Sequence, residues 1–374
     1  MARTALKQLI DASIWLQSLF VRRASTPADS KKRILIIRKD GLGDCVLFYA
    51  TLRAYCEHYR DAEIHLVLPM LCKSLDPIFG AYVDHIIWFD HAKFGSSYAY
   101  RSNFMLNLKR AGYTEALYPV YTREPIGDTM IAMTQAKRCV GFATNPTMHY
   151  VPRRNAYTEI VEVPQTMEHE LDRNRLFAER VTGAEVTVTF PTITPDMLPS
   201  VSERTQPYAV IFPGSGQTYK IWPPERFAAI GDMLTARGFA LLICGSKSDT
   251  DLVQKVISAS ANPSAWTNLC GQTDVATLTS IISRASLYFG SDTGALHLAV
   301  AVGTPTVAIV GSGSIRRFFP YGDPAKNRAV YDPMYPDQKG DWGDPVPLPA
   351  GDIHPSILNV TVEMAERELA VVLQ

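Results

Sequence analysis

Three short stretches combine glycine with side chains able to hold or move charge. In "ILIIRKDGLGDCVLF" an apolar run ends at Arg38, and Gly41-Leu42-Gly43-Asp44 leads into a helical pattern. A carboxylate there, beside glycines that leave room for a substrate, can take a proton from a hydroxyl. It can equally cap the helix, where the dipole keeps it ionised and makes it a poorer base. In "FPGSGQTYKIWPPERF" a loop with Gly214, Ser215 and Gly216 precedes Lys220. Loop N–H groups, the Ser215 and Thr218 hydroxyls and one ammonium make a grip for phosphate, whereas a lone loop lysine is ordinarily just solvated. In "GSDTGALHLA" Asp292-Thr293-Gly294 open a small-residue helix whose unpaired N–H groups face outward. His297, one turn inside, can donate to an anionic oxygen. The plainer readings are a satisfied core histidine and a capping Asp292.

The spacing excludes two common nucleotide motifs at the first stretch. The third glycine of G-x-G-x-x-G falls at Val46, and no G-K-[ST] follows.

The elements that must position these residues alternate. "RILIIR" (33–38), "EIHLVL" (63–68), "HIIWF" (85–89) and "EALYPV" (115–120) read as strands, with helical stretches such as "DCVLFYATLRAYCEHYR" between them. After a less regular middle section and a linker near 191–207, "YAVIFPG", "FALLICG", "SLYFG" and "PTVAIVG" form a second series, each running into glycine. Such alternation predicts two doubly wound parallel sheets, with ligands beyond the carboxyl ends of the strands. "SILNVTVEMAERELAVVL" reads as a long terminal helix.

At 374 residues, with 47% hydrophobic and 20% charged side chains, the chain is expected to be globular and two-domain. Balance between 37 basic and 37 acidic residues argues against a dedicated nucleic-acid partner. Six scattered cysteines without C-x-x-C spacing fit a reducing cytoplasm. The apolar stretch over residues 4–23 is interrupted by Lys7, Asp11 and Gln17, too broken for a membrane span. Residues 1–33 carry seven basic and two acidic side chains, so a helix there would lie on an anionic membrane surface or dock on protein.

In this order the three motifs resemble glycosyltransferase family 9, the ADP-heptose:lipopolysaccharide heptosyltransferases, over roughly residues 33–330. The sequence departs from the family at "DGLGD" for "SSLGD", at Phe212 in "FPG" for "HPG", and in its N-terminal extension. The resemblance implies a GT-B fold, two Rossmann-like doubly wound domains facing a central cleft. An N-terminal segment (1–32) would precede an acceptor domain (33–190) and a nucleotide-sugar domain (206–350), and a C-terminal helix (351–374) would return to the first domain. It implies inverting, metal-independent transfer of a heptose from ADP-heptose to a lipopolysaccharide-type acceptor, without a cofactor. Asp44 then matches the base, Lys220 the lysine near the donor phosphates, and Asp292, Thr293, Gly294 and His297 the diphosphate signature. Gly214 and Ser215 belong to the same donor site, and Asp249 matches an acidic ribose contact. Arg38, Gly43 and Arg123 are expected near an anionic acceptor, although a surface ion pair is open for both arginines. The protein would work in the cytoplasm, peripherally on the inner-membrane face that carries the glycolipid acceptor. A sugar-nucleotide epimerase and a non-catalytic membrane-associated scaffold stand as alternatives.

Overall fold

The computed structural model describes residues 13, 17, 19–24, 31–143, 156–311, 314–334 and 352–374. Most of the amphipathic segment expected over 4–23 therefore lies outside the described residues. Among the described ones, no helix is long and apolar enough to cross a membrane.

The chain divides into two compact units. The first carries β1 (Lys32–Ile37), β2 (Ala62–Pro69), β3 (His85–Phe89), β4 (Glu115–Tyr118), β5 (Arg138–Phe142) and β6 (Glu159–Val161). They form one parallel sheet in the order β3-β2-β1-β4-β5-β6. Ile34–Ile37 is fully buried without alternation, as a central strand covered on both faces requires. Leu35, Ile37, Val67, Phe89 and Tyr118 share its core.

The second unit repeats the plan with β7 (Tyr208–Phe212), β8 (Ala240–Ile243), β9 (Trp266–Asn268), β10 (Leu287–Ser291), β11 (Thr306–Ile309) and β12 (Asn327–Val330). Its parallel order is β12-β11-β10-β7-β8-β9. Counted from its own first strand, each sheet runs 3-2-1-4-5-6. Winding therefore reverses between β1 and β4 in one, and between β7 and β10 in the other. Ligands of open α/β sheets bind beyond the strand ends at such reversal points.

Helix α1 (Leu42–His58) follows β1, α2 (Pro224–Ala236) follows β7, α3 (Gly294–Val302) follows β10, and α4 (Val362–Val372) is terminal. The contacts of Leu42–Ala50, the first half of α1, group it with the second unit, as do those of Glu168–Leu171. The long terminal helix expected from sequence is broken: Thr361 Oγ1 accepts from Met364 N at 3.3 Å and starts α4 afresh after Pro355–Leu358.

The return of this segment to the first domain is corrected by its packing. α4 lies on β11, β12 and α2 of the second unit. Its apolar stripe, Ala365 and Leu369, joins Ile357, Val360 and the fully buried Trp222 in that unit's core. Trp222 Nε1 donates to Val360 O at 2.8 Å, so the indole's polar edge is satisfied by the chain it covers.

Candidate active site

In the second unit, the ends of β7 and β10 lie side by side. Ser291 Oγ donates to Pro213 O at 2.9 Å across the reversal point. Asp292 and Thr293 follow β10 directly. Thr293 is the N-cap of α3 in extended conformation, and its side chain makes no capping bond. The first N–H groups of α3 are thus left for an incoming anion.

The start of α1 presses against this same turn. A Cβ added at Gly43 would fall 2.6 Å from His297 Cδ2, and one at Gly294 would fall 2.7 Å from Leu42 Cβ. Each helix start therefore needs a glycine where the other's side chain sits. The N-cap of α1 is Gly41, which has no side chain to cap it. Asp44, half-buried, lies in the first turn of α1 and already has helical backbone, so the expected turn is one residue long. Two helix starts without side-chain caps, one with a carboxylate and one with a histidine, meet through paired glycines.

His297 is 3% exposed. Its Nδ1 lies 3.0 Å from Tyr321 Oη, its ring stacks on the Tyr321 ring at 5.8 Å, and Nε2 is 3.9 Å from Asp292 Oδ1. Burial pushes the imidazole down to about 4, against the pull of Asp292 and helped by His169. Burial also raises the Tyr321 phenol, which stays a hydroxyl. With the carboxylate on the Nε2 side we assign the neutral ring its proton there, with Nδ1 accepting from Tyr321. His297 is then a neutral N–H donor at working pH, and neither a cation nor a free base.

That shift has a measurable sign. The unfolded histidine binds its proton near pH 6.5 and the folded one near pH 4, so between these values the unfolded state holds more protons. The stability is complete above about pH 6.5, falls as pH drops, and has lost about 3 kcal/mol by pH 4. Urea midpoints measured through this window should drop less steeply in His297→Asn than in the parent. Equal slopes would remove the buried neutral imidazole from the account.

The loop after β7 carries the other expected donor residues. Gly214 is buried and Ser215 half-buried. Lys220 Nζ donates to Ser314 Oγ at 3.3 Å, across to the loop beyond β11. Among the described residues Lys220 has no carboxylate partner. Asp249 packs against Gly214, where an added Cβ would meet its Cγ at 2.7 Å. Its Oδ2 accepts from Ser246 N and Oγ at 2.7 and 2.6 Å, a local capping box. Asp249-Thr250-Asp251 spells D-x-D, but it is a helix start: the Asp249 carboxylate holds Ser246 and Asp251 is exposed.

Both arginines lie buried in the first unit. Arg38 is fully buried in the first unit; Nη1 donates to Pro119 O and, at 3.2 Å, to Asn174 Oδ1, and Nε pairs with Asp40 Oδ1 at 3.0 Å. Arg123 is 1% exposed and donates to both Asp128 oxygens at 3.0 and 2.9 Å and to Phe142 O at 2.6 Å. Its guanidinium also lies 4.3 Å from the Tyr157 ring. Charges this deep are retained only when paired. The surface ion pair is excluded for both.

The model for glycosyltransferase family 9 (heptosyltransferase) matches residues 129–341, more than half of the chain. The chain belongs to glycosyltransferase family 9. Among relatives of this family, lipopolysaccharide heptosyltransferase 3 of Escherichia coli is 32% identical over 29% of this chain and 32% of its own length. Lipooligosaccharide heptosyltransferase 2 of Haemophilus influenzae is 28% identical over 40% of this chain and 42% of its own. The chain thus aligns with about a third to two fifths of these relatives' length. The structure of E. coli ADP-heptose lps heptosyltransferase II superposes with a TM-score of 0.66 at 18% identity, covering 91% of this chain and 99% of that one. E. coli heptosyltransferase WaaC with ADP-2-deoxy-2-fluoro heptose gives 0.65 at 15% identity, covering 90% and 99%. At that identity the likeness establishes the fold, and the two Rossmann-like units of this family 9 chain are those of the GT-B class.

Sequence reasoning missed Tyr321, His169 and Leu42 at this family 9 site. Tyr321 holds the histidine, His169 lies 5.4 Å from the Tyr321 ring, and Leu42 fills the space left by Gly294. Neither Tyr321 nor His169 belongs to a periodic pattern, and their partner is distant in the chain. Leu42 lay inside a quoted motif, where its apolar side chain between two glycines was the available signal.

Proposed function

We propose that this chain is an inverting glycosyltransferase that moves a heptose from ADP-heptose onto a lipopolysaccharide-type acceptor. The observation that carries the proposal is the interlocked pair of helix starts, which brings the Asp44 turn against the Asp292–His297 turn. The Asp44 carboxylate takes the proton of the acceptor hydroxyl as that oxygen bonds to the donor's anomeric carbon. The bond from that carbon to the diphosphate breaks on the opposite face, and the electron pair leaves with the nucleotide. The N–H groups of α3, the Lys220 ammonium and the His297 Nε2–H stabilise the charge that develops there. Gly214, Ser215 and Asp249 line the donor side, and Asp249 is assigned to the ribose through the carboxylate oxygen not used by Ser246. The family membership and the activities for which the relatives are named support this reading.

Mass spectrometry of the glycolipid after incubation with a panel of ADP-, GDP- and UDP-sugars tests it. The expected product is the acceptor plus one heptose, from the ADP donor, with the inverted anomeric configuration read from the NMR couplings of the isolated product. Epimerised donor without acceptor modification, or no product from any donor, would overturn it. The basic, apolar segment over 4–23 is assigned to the anionic membrane surface, so the same assay should run faster on acceptor in anionic vesicles than on acceptor in detergent. Loss of that advantage after deleting residues 1–24 is the expected sign, and an unchanged advantage would return the segment to a protein partner.

A further inference from the structure

No metal-ligand spacing is legible in the sequence, yet the first sheet assembles one. Glu63 and His65 point to the same face of β2, two residues apart. His65 and His85 are directly paired across β2 and β3. Glu63 Oε1 therefore lies 3.0 Å from His65 Nε2 and 3.1 Å from His85 Nε2, and the three ligand atoms all fall within 4.8 Å of one another. Two donors on a tetrahedral zinc, each about 2.0–2.1 Å from the ion, stand about 3.3 Å apart. The two carboxylate–imidazole separations lie within a few tenths of an ångström of that distance.

The outer side of the cluster is also built. Arg33 Nε donates to Glu63 Oε2 at 2.8 Å, which turns Oε1 inward, and β1 places Arg33 opposite Glu63. Tyr113 Oη lies 3.0 Å from His65 Nδ1 and leaves Nε2 for an ion. Partners of this kind fix ring orientation and tautomer in protein metal sites. His85 is exposed, which leaves room for water at the remaining positions.

We propose that Glu63, His65 and His85 form a site for a divalent transition metal of the zinc class, which staples the edge strand β3 to β2. Imidazole with carboxylate selects zinc, cobalt or nickel over calcium and magnesium. The ligands stand toward the amino ends of their strands, whereas the Asp44 turn follows the carboxyl end of β1. The role is structural: an edge strand is the weakest member of a sheet, and the ion cross-links it to its neighbour.

Co2+ and Zn2+ titrated into the tag-free full chain test this directly. One equivalent of Co2+ should give a visible d–d absorption that Zn2+ abolishes. His85→Ala, at an exposed position, should weaken binding at least tenfold with unchanged circular dichroism, and Glu63→Gln should do the same. At a hundredfold excess over Kd, Zn2+ should raise the parent's Tm by roughly 5 °C and leave His85→Ala unmoved. Absence of saturable one-equivalent binding would overturn the site. So would equal affinity in His85→Ala, or a strong thiolate-to-cobalt charge-transfer band marking capture by one of the six cysteines.

Discussion

Replacing Asp44 with alanine should lower the transfer rate by about 10³-fold, with ADP affinity unchanged within about twofold. The carboxylate stands in the first turn of α1, beside the glycine that touches His297. In the proposed reaction it takes the acceptor's proton and makes no contact with the nucleotide. At the start of α1 it also complements the positive helix end, an effect worth about 0.3–1 kcal/mol. Thermal melts of each variant separate a loss of folding from a loss of turnover. Asp44→Asn keeps the shape and hydrogen-bonding capacity but cannot take a proton, and should lose as much activity as the alanine variant. Single-turnover kinetics with isothermal titration of ADP read both quantities. Normal turnover in either variant would remove Asp44 as the base.

Replacing Gly43 with alanine should lower kcat by about 10²-fold and destabilise the second unit by about 1–3 kcal/mol. Intrinsic preference points the other way, since alanine in place of glycine stabilises an ordinary helix by up to about 1 kcal/mol. The tertiary contact decides the sign. The new methyl would meet His297 Cδ2 at 2.6 Å, and that ring is buried and tied to Tyr321. The ring cannot swing away without breaking its hydrogen bond, so the start of α1 must shift instead, carrying Asp44 with it. Gly43→Ala combined with His297→Ala removes the clash, and should recover most of the stability without recovering the rate. Tm and kcat of the four-member cycle check this. A Gly43→Ala protein that is more stable and fully active would show that the two helix starts are not interlocked.

How much was legible in advance depended on range. The eight apolar runs all became strands; seven are inner strands, which announce themselves by runs of apolar residues, and the edge strand β3 was legible from its Ile-Ile-Trp-Phe run. β5, β6, β9 and β12 were not read. They are three to five residues long and three of them lie at sheet edges, where no alternation accumulates. The terminal helix was legible as a helix but not in its destination, since an apolar stripe specifies burial and not against what. The arginines were legible as charges; burial beside Asp40 and Asp128 was not, because both partnerships are set by how loops close over the sheet ends.

By itself the sequence determined two series of parallel strands, the glycine-rich turns at their carboxyl ends, and the chemical types of Asp44, Lys220, Asp292 and His297. These are local properties, carried by periodicity and by residues adjacent in the chain. Only the tertiary structure decided that Gly43 faces His297 and Gly294 faces Leu42, that burial beside Tyr321 keeps the histidine neutral, and that Glu63, His65 and His85 converge. Each of those depends on strand register or on helix starts from distant segments reaching one point. Register is a property of pairs of strands, and close approach is a property of pairs of helices, so neither is written in any single stretch of chain.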